Sequence, residues 1–433
     1  MGSEVRTRAT AQADVPGGLT RRQLVERAGV SALGALLAGL PRGWRGGAYA
    51  NDGPERRAIH LGIVPLADCA PIVMAHELGL FRKHGIESAI SREASWATVR
   101  DRLAIGEIQA AQMLMGMPYA STAGVAGAPV RPVVYPFVLS RNGQGITLRK
   151  AFLDAGVRTP AALRPLARAA AARGRPLTFA MTFPSGTHAM WLRYWLAAGG
   201  LHPDRDVSLV AIPPPQMVAN MKVGAVDGFC VGEPWNARAV ADGVGFTAIT
   251  SQAIWPDHPE KVLAFTEAFV ERYPRTVRAI LRAMVEASRF VDRLENRPRV
   301  AEVLARPPYL NVPAALVLGR LLGRYDYGDG RSGQERHAML FHDRKANVPL
   351  RAHGIWFLTQ FRRWGMLRDE PDYLGIARRV ARLDLYRAVA EEMGLEVPGD
   401  EMAREVLFDG VVFDPTRPEA YAKGFAVHSL ASA

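Results

Sequence analysis

Short apolar runs alternate with stretches of helical period along the first part of this chain. The apolar run at 60–64 is broken by Pro65, and a helical pattern follows over 71–80. Basic residues and Gly85 close that helix. A strand is expected over 86–91 and a helix over 96–105, with Ser95 as its cap. The pairing recurs at 177–183 with 188–198, and at 207–212 with 216–223. Strands and helices in this order predict parallel α/β sheets.

Beyond residue 260 helical periodicity takes over, at 262–272, 276–294, 313–322, 353–364 and 383–393. The polar text YGDGRSGQERH predicts a long surface loop across 326–351, and the Ala/Arg-rich stretch 161–175 predicts a solvated helix. There is no internal repeat and no low-complexity linker, so the body reads as one compact unit with two α/β centres.

The first 50 residues read as a targeting segment rather than as fold. Thr20-Arg21-Arg22-Gln23-Leu24 has the form of a twin-arginine signal, and a weakly apolar stretch follows over 28–40. Ala48-Tyr49-Ala50 offers a small-x-small cleavage site before Asn51. No lipobox cysteine is present, so the expected product is exported and untethered. The leader holds seven arginines and three acids, and so supplies about +4 of the formal charge of +12. The remaining positive balance favours anionic ligands. It is scattered and accompanies no nucleic-acid motif, so no nucleic-acid partner is expected. No apolar run is long enough to span a bilayer. Cys69 and Cys230 make neither a metal spacing nor a CxxC pair, and they fit two separately buried small side chains.

Ligands of open α/β sheets sit at the carboxyl ends of strands, where helix amino termini offer free N–H groups and a favourable dipole to anions. Three loops have that character: Ser95-Trp96, Pro184-Ser185-Gly186-Thr187-His188, and Pro213-Pro214-Pro215-Gln216. Trp, Gln, His and Lys are N–H donors suited to a planar, acceptor-only anion such as nitrate. Each has a plain alternative. Trp96 fits a core aromatic, Gln144 a turn residue, His188 a solvent-facing helix residue and Lys261 a surface lysine. Glu233 has no partner acid or base, and Asp257 with His258 lacks metal-ligand spacing, so neither a catalytic residue nor a metal or other cofactor is expected.

The segments SREASWATVRDRLAIGEIQAAQML, SRNGQGIT, FPSGTHAMWLRYWLAAGG, GFCVGEPWNARAV and IWPDHPEKV resemble the nitrate-binding proteins of ABC importers. WFLTQFRRWG and DYLGIA look like that family's carboxyl-terminal extension, so the resemblance runs from about 59 to 425. It implies a type II periplasmic-binding-protein fold, an α/β architecture of two lobes around a cleft with a helical C-terminal extension. Lobe one would be 59–140 and 252–433, lobe two 141–251, after a signal segment at 1–50. The family's site falls on Trp96, Gln144, His188 and Lys261, with backbone from Gly186, Pro214, Val231 and Gly232. Gly143 and Gly145 would let the backbone turn at the first lobe crossing. The partners implied are a small inorganic anion and the membrane permease and ATPase of an importer. Relatives that bind bicarbonate lack basic residues at the His and Lys positions; both are basic here, which favours nitrate or nitrite. A bicarbonate-binding relative, or a nitrate-sensing regulatory protein, is the alternative. An enzyme of the thiamine-pyrimidine synthesis type would need a reactive His and Cys cluster that this chain lacks.

Overall fold

The computed structural model describes residues 53–335 and 337–430; the leader and its proposed signal lie outside them. Two β-sheets organise the chain. The first is built from β1 (Ala58–Ile63), β2 (Glu87–Arg92), β3 (Ala110–Leu114) and β4 (Val133–Asn142). The second takes β5 (Gln144–Arg149), β6 (Thr178–Met181), β7 (Ser208–Ala211), β8 (Gly228–Gly232) and β9 (Gly245–Thr250). The chain then returns to the first sheet as β10 (Pro259–Thr266), forms a hairpin from β11 (Arg324–Asp326) and β12 (Ser332–Gln334), and adds β13 (Met339–Leu340). The strand orders are β13-β4-β10-β3-β1-β2 and β7-β6-β8-β5-β9.

Both sheets are mixed, which corrects the parallel expectation. β10 runs antiparallel to β3 and β4, and β5 runs antiparallel to β8 and β9. These are the strands with which the chain enters each sheet from the other. Only Gly143 separates β4 from β5, and its φ of 86° is a conformation that glycine adopts without a Cβ penalty. Gly145, expected to share that freedom, is instead a strand residue paired with Val231 and Thr250.

The helix expected over 262–272 is another correction. Its first half is β10, and only Glu267–Arg272 is helical, capped by the Thr266 hydroxyl on Phe269 N at 3.3 Å. Val262-Leu263-Ala264-Phe265 is an unbroken apolar run, and buried central strands and buried helices read alike at that length. The loop expected over 326–351 is likewise partly structural. It carries the β11–β12 hairpin, and its end is pinned inward: Asn347 Nδ2 donates to Val138 O (2.9 Å) and Phe341 O (2.6 Å). Buried Asp292 accepts from His342 N at 2.8 Å, which holds β13 against β4. The Ala/Arg-rich helix, Pro160–Ala172, is exposed along most of its length but buries Leu163, Ala167 and Ala170.

The C-terminal helices are Arg351–Arg363, Tyr373–Val380, Leu383–Glu392 and Pro418–Lys423. The first is almost wholly buried, and Trp356 lies 4.9 Å from Trp191 between ring centroids. Trp191 also packs on Trp255 and His258, so this extension backs the helix that carries His188. No helix among the described residues is long and apolar enough to cross a membrane.

Candidate functional site

Four elements bring the expected side chains to the ends of the strands. The helix Trp96–Ala104 starts after Ser95, whose hydroxyl accepts from Thr98 N at 3.2 Å. That cap fixes the first turn and holds Trp96 at its amino end, fully buried. The helix Thr187–Ala198 follows β6 with Gly186 as its cap. A Cβ on Gly186 would come within 2.3 Å of Leu114 Cδ1, and one on Gly116 within 2.0 Å of Ser185 O. Only hydrogen in place of a side chain lets the loop after β6 lie this close to the end of β3.

His188 is buried, with Nδ1 2.5 Å from the Thr182 hydroxyl. Burial, reinforced by the nearby Lys261 charge, drives its pKa well below the usual value, so the ring is neutral. With the Thr182 hydroxyl donating to Nδ1, the proton sits on Nε2, which has no hydrogen-bond partner in the protein. Trp96 Nε1 is a second buried N–H without a partner. Gln144 opens β5, its Nε2 reaches the Thr187 hydroxyl at 3.3 Å, and its Oε1 is unpaired. Exchanging the two amide positions, with the Thr187 hydroxyl as donor, turns that unpaired atom into a third donor.

Lys261 is in β10, fully buried, not on a surface helix. Its ammonium lies 5.5 Å from the centre of the Trp96 ring. It pairs with Asp68 Oδ2 at 2.8 Å and more closely still with Glu260 Oε1. Gln112 Nε2 donates to Asp68 Oδ1, and Glu260 Oε1 is also 3.5 Å from His188 Nε2. Burial lowers the Lys261 pKa, while Asp68 draws it back up; burial raises Asp68, with Lys261 acting against it.

The expectation of a basic site, drawn from His188 and Lys261, is therefore corrected. Two buried carboxylates share the site with the lysine, which is already an ion-paired cation rather than a free countercharge. Glu260 stands beside Lys261 in the text HPEK and carried a visible signal; Asp68 comes from the turn after β1, and only tertiary structure brings it to Lys261.

Val231 and Gly232 end β8, with Gly232 opposite Gln144. A Cβ on Gly232 would be 3.2 Å from Asp68 Oδ2 and 3.7 Å from His188 Nε2, so this backbone forms one wall of the cluster. Pro214 is buried after the edge strand β7, and none of the hydrogen bonds or ion pairs described above includes it. Glu233 is buried against Arg320 Nε at 3.2 Å, a structural ion pair, and its backbone carbonyl accepts from Ala67 N at 2.8 Å. His258 bonds Ser251 Oγ at 2.7 Å and Pro259 O at 3.0 Å. Among the described residues no group of three His, Cys, Asp or Glu side chains is placed to hold a metal ion. Both cysteines are buried and free.

The arrangement can hold a small anion: buried N–H groups without protein partners belong to side chains that lie against a buried ammonium and its carboxylate. Residues 52–305 match the NMT1-like family. The chain is 40% identical over 390 residues to the nitrate/nitrite-binding protein NrtA of a Nostoc species, covering 87% of each. It is 39% identical over 383 residues to a bicarbonate transport ATP-binding protein, CmpC, of Synechocystis, and spans 57% of that longer protein. The crystal structure of the periplasmic nitrate-binding protein NrtA from Synechocystis PCC 6803 superposes with a TM-score of 0.81 at 37% identity, over 87% of this chain and 100% of that one. The fold is thus the two-lobed periplasmic-binding-protein fold that the resemblance implied, and the chain belongs to the NMT1-like family as a solute-binding protein of the ABC-importer type, not an enzyme.

Proposed function

We propose that this protein captures nitrate or nitrite outside the cytoplasmic membrane and delivers it to the permease and ATPase of an ABC importer. The observation that carries the proposal is that two buried N–H groups without protein partners, Trp96 Nε1 and His188 Nε2, belong to side chains in contact with the Lys261–Glu260 cluster. Buried polar groups without partners are rare and costly, and an acceptor-only ligand would satisfy these. The ligand set is Trp96, Gln144, His188 and Lys261, with Gly186, Val231, Gly232 and Pro214 as backbone wall. The lobes are 59–140 with 252–433, and 141–251, closing on the anion between them. Export follows the twin-arginine route, with cleavage before Asn51.

One observation favours bicarbonate as a second reading. Its hydroxyl is a donor, and Glu260 Oε2 is a buried acceptor without a partner. Titration calorimetry against nitrate, nitrite, bicarbonate, sulfate and taurine separates the two. Nitrate and nitrite should bind and compete with each other, and sulfate should not, because its second charge would go unmatched. Bicarbonate binding without heat from nitrate would overturn the proposal in favour of the second reading.

A further inference from the structure

We propose that the site takes up one proton with each anion, and that this proton resides on Glu260. The inference rests on the anion-binding reading above. The titratable groups that face the cluster are Asp68 and Cys69 from the turn after β1, Cys230 from β8, His188, His258, and Glu260 with Lys261 from β10. Burial raises both thiols and lowers both imidazoles, which leaves all four neutral near pH 7. One ammonium then faces two carboxyl groups. With both ionised the cluster carries a net charge of −1 before any ligand arrives, and a bound monovalent anion would double it.

Like charges in a dry site cannot all stay ionised; the group least supported by donors gains a proton. Asp68 engages both oxygens: Oδ1 accepts from Gln112 Nε2, and Oδ2 lies 2.8 Å from the Lys261 ammonium in an ion pair. Glu260 uses only Oε1, which touches Lys261 and lies 3.5 Å from His188 Nε2. Its Oε2 is buried and unpartnered. A proton from solvent placed on that oxygen removes one negative charge, frees Lys261 to face the anion, and adds an O–H donor. Glu260 is thereby a specificity-determining residue. Its neutral form suits an acceptor-only anion, whereas its ionised form would repel one.

The test is calorimetric titration of the exported protein with sodium nitrate at pH 6, 7 and 8, in pairs of buffers of different ionisation enthalpy. Uptake should approach one proton per anion, and affinity should fall by up to about tenfold per pH unit as pH rises. Infrared difference spectra should show a protonated-carboxyl band on nitrate binding. Glu260→Gln, folded by circular dichroism, should bind nitrate at pH 8 at least as tightly as the wild type, without proton uptake and without the band. Wild-type heat that does not depend on buffer, or a band that persists in Glu260→Gln, would overturn the inference while leaving nitrate binding intact. No nitrate heat at any pH would instead remove the anion-binding reading, and the inference with it.

Discussion

The ammonium of Lys261 in β10 and the carboxylate of Asp68 in the turn after β1 meet at 2.8 Å, with side-chain exposures of 0% and 1%. The lysine therefore has a structural role besides any role toward a ligand. Breaking a buried, hydrogen-bonded ion pair from one side costs about 3–5 kcal/mol, because the remaining charge is stranded. Lys261→Ala should lose stability on that scale in urea without anion, less whatever protonation of Asp68 and Glu260 recovers. Lys261→Met combined with Asp68→Asn and Glu260→Gln should regain most of it. An unchanged urea midpoint for Lys261→Ala would mean the ion pair contributes nothing.

Gly232 gives a cleaner probe of binding, because it carries no charge. A methyl there would sit 3.2 Å from Asp68 Oδ2 and 3.7 Å from His188 Nε2, at the wall of the cluster. Gly232→Ala should weaken nitrate binding by at least about tenfold, equivalent to about 1.4 kcal/mol. Its thermal midpoint should stay close to that of the wild type. Equal affinity in calorimetry would place the anion elsewhere.

His258 predicts a pH dependence of stability. Its Nδ1 lies 3.0 Å from Pro259 O and its Nε2 2.7 Å from Ser251 Oγ; with the proton on Nδ1 donated to the carbonyl, the neutral ring accepts from the Ser251 hydroxyl at Nε2. Burial lowers its pKa to about 3, against an ordinary value of 6.5. The unfolded chain thus binds a proton that the folded chain refuses between those two values. The stabilisation is complete above pH 6.5 and is lost as pH falls toward 3. His188, also lowered by burial, acts in the same direction. Chemical denaturation across pH 4–8 without anion should show this decline, and His258→Gln should flatten part of it. A flat wild-type profile would contradict the neutral-imidazole assignment.

The leader makes a separate prediction. Arg21→Lys with Arg22→Lys should leave uncleaved precursor in the cytoplasm, detected by fractionation and amino-terminal sequencing. Mature protein beginning near Asn51 in that double variant would exclude the twin-arginine route.

Local chemistry made much of this legible. The Ser95 cap, the glycine at 186 and the strand–helix alternation each depend on neighbours in the chain, and each stands in the structure. The sequence of β10 reads as helix because Val262–Phe265 is apolar without a distinguishing period. Strand direction is not legible in the sequence, because antiparallel entry into each sheet is a property of topology, not of composition. The pairing of Asp68 with Lys261 is hidden from the sequence for the same reason. No spacing rule links the turn after β1 to β10, and the pair exists only because β3 lies between β1 and β10 in the sheet. The resemblance supplied the donor residues, but the carboxylates that set the charge of the site came from the structure.

A crystal structure of the exported protein with nitrate tests the site assignment most directly. One anion is expected between the two sheets, its oxygens within about 3.2 Å of Trp96 Nε1, His188 Nε2 and Lys261 Nζ. Nitrate bound only at the surface, or a site left without nitrate at saturating concentration, would contradict it.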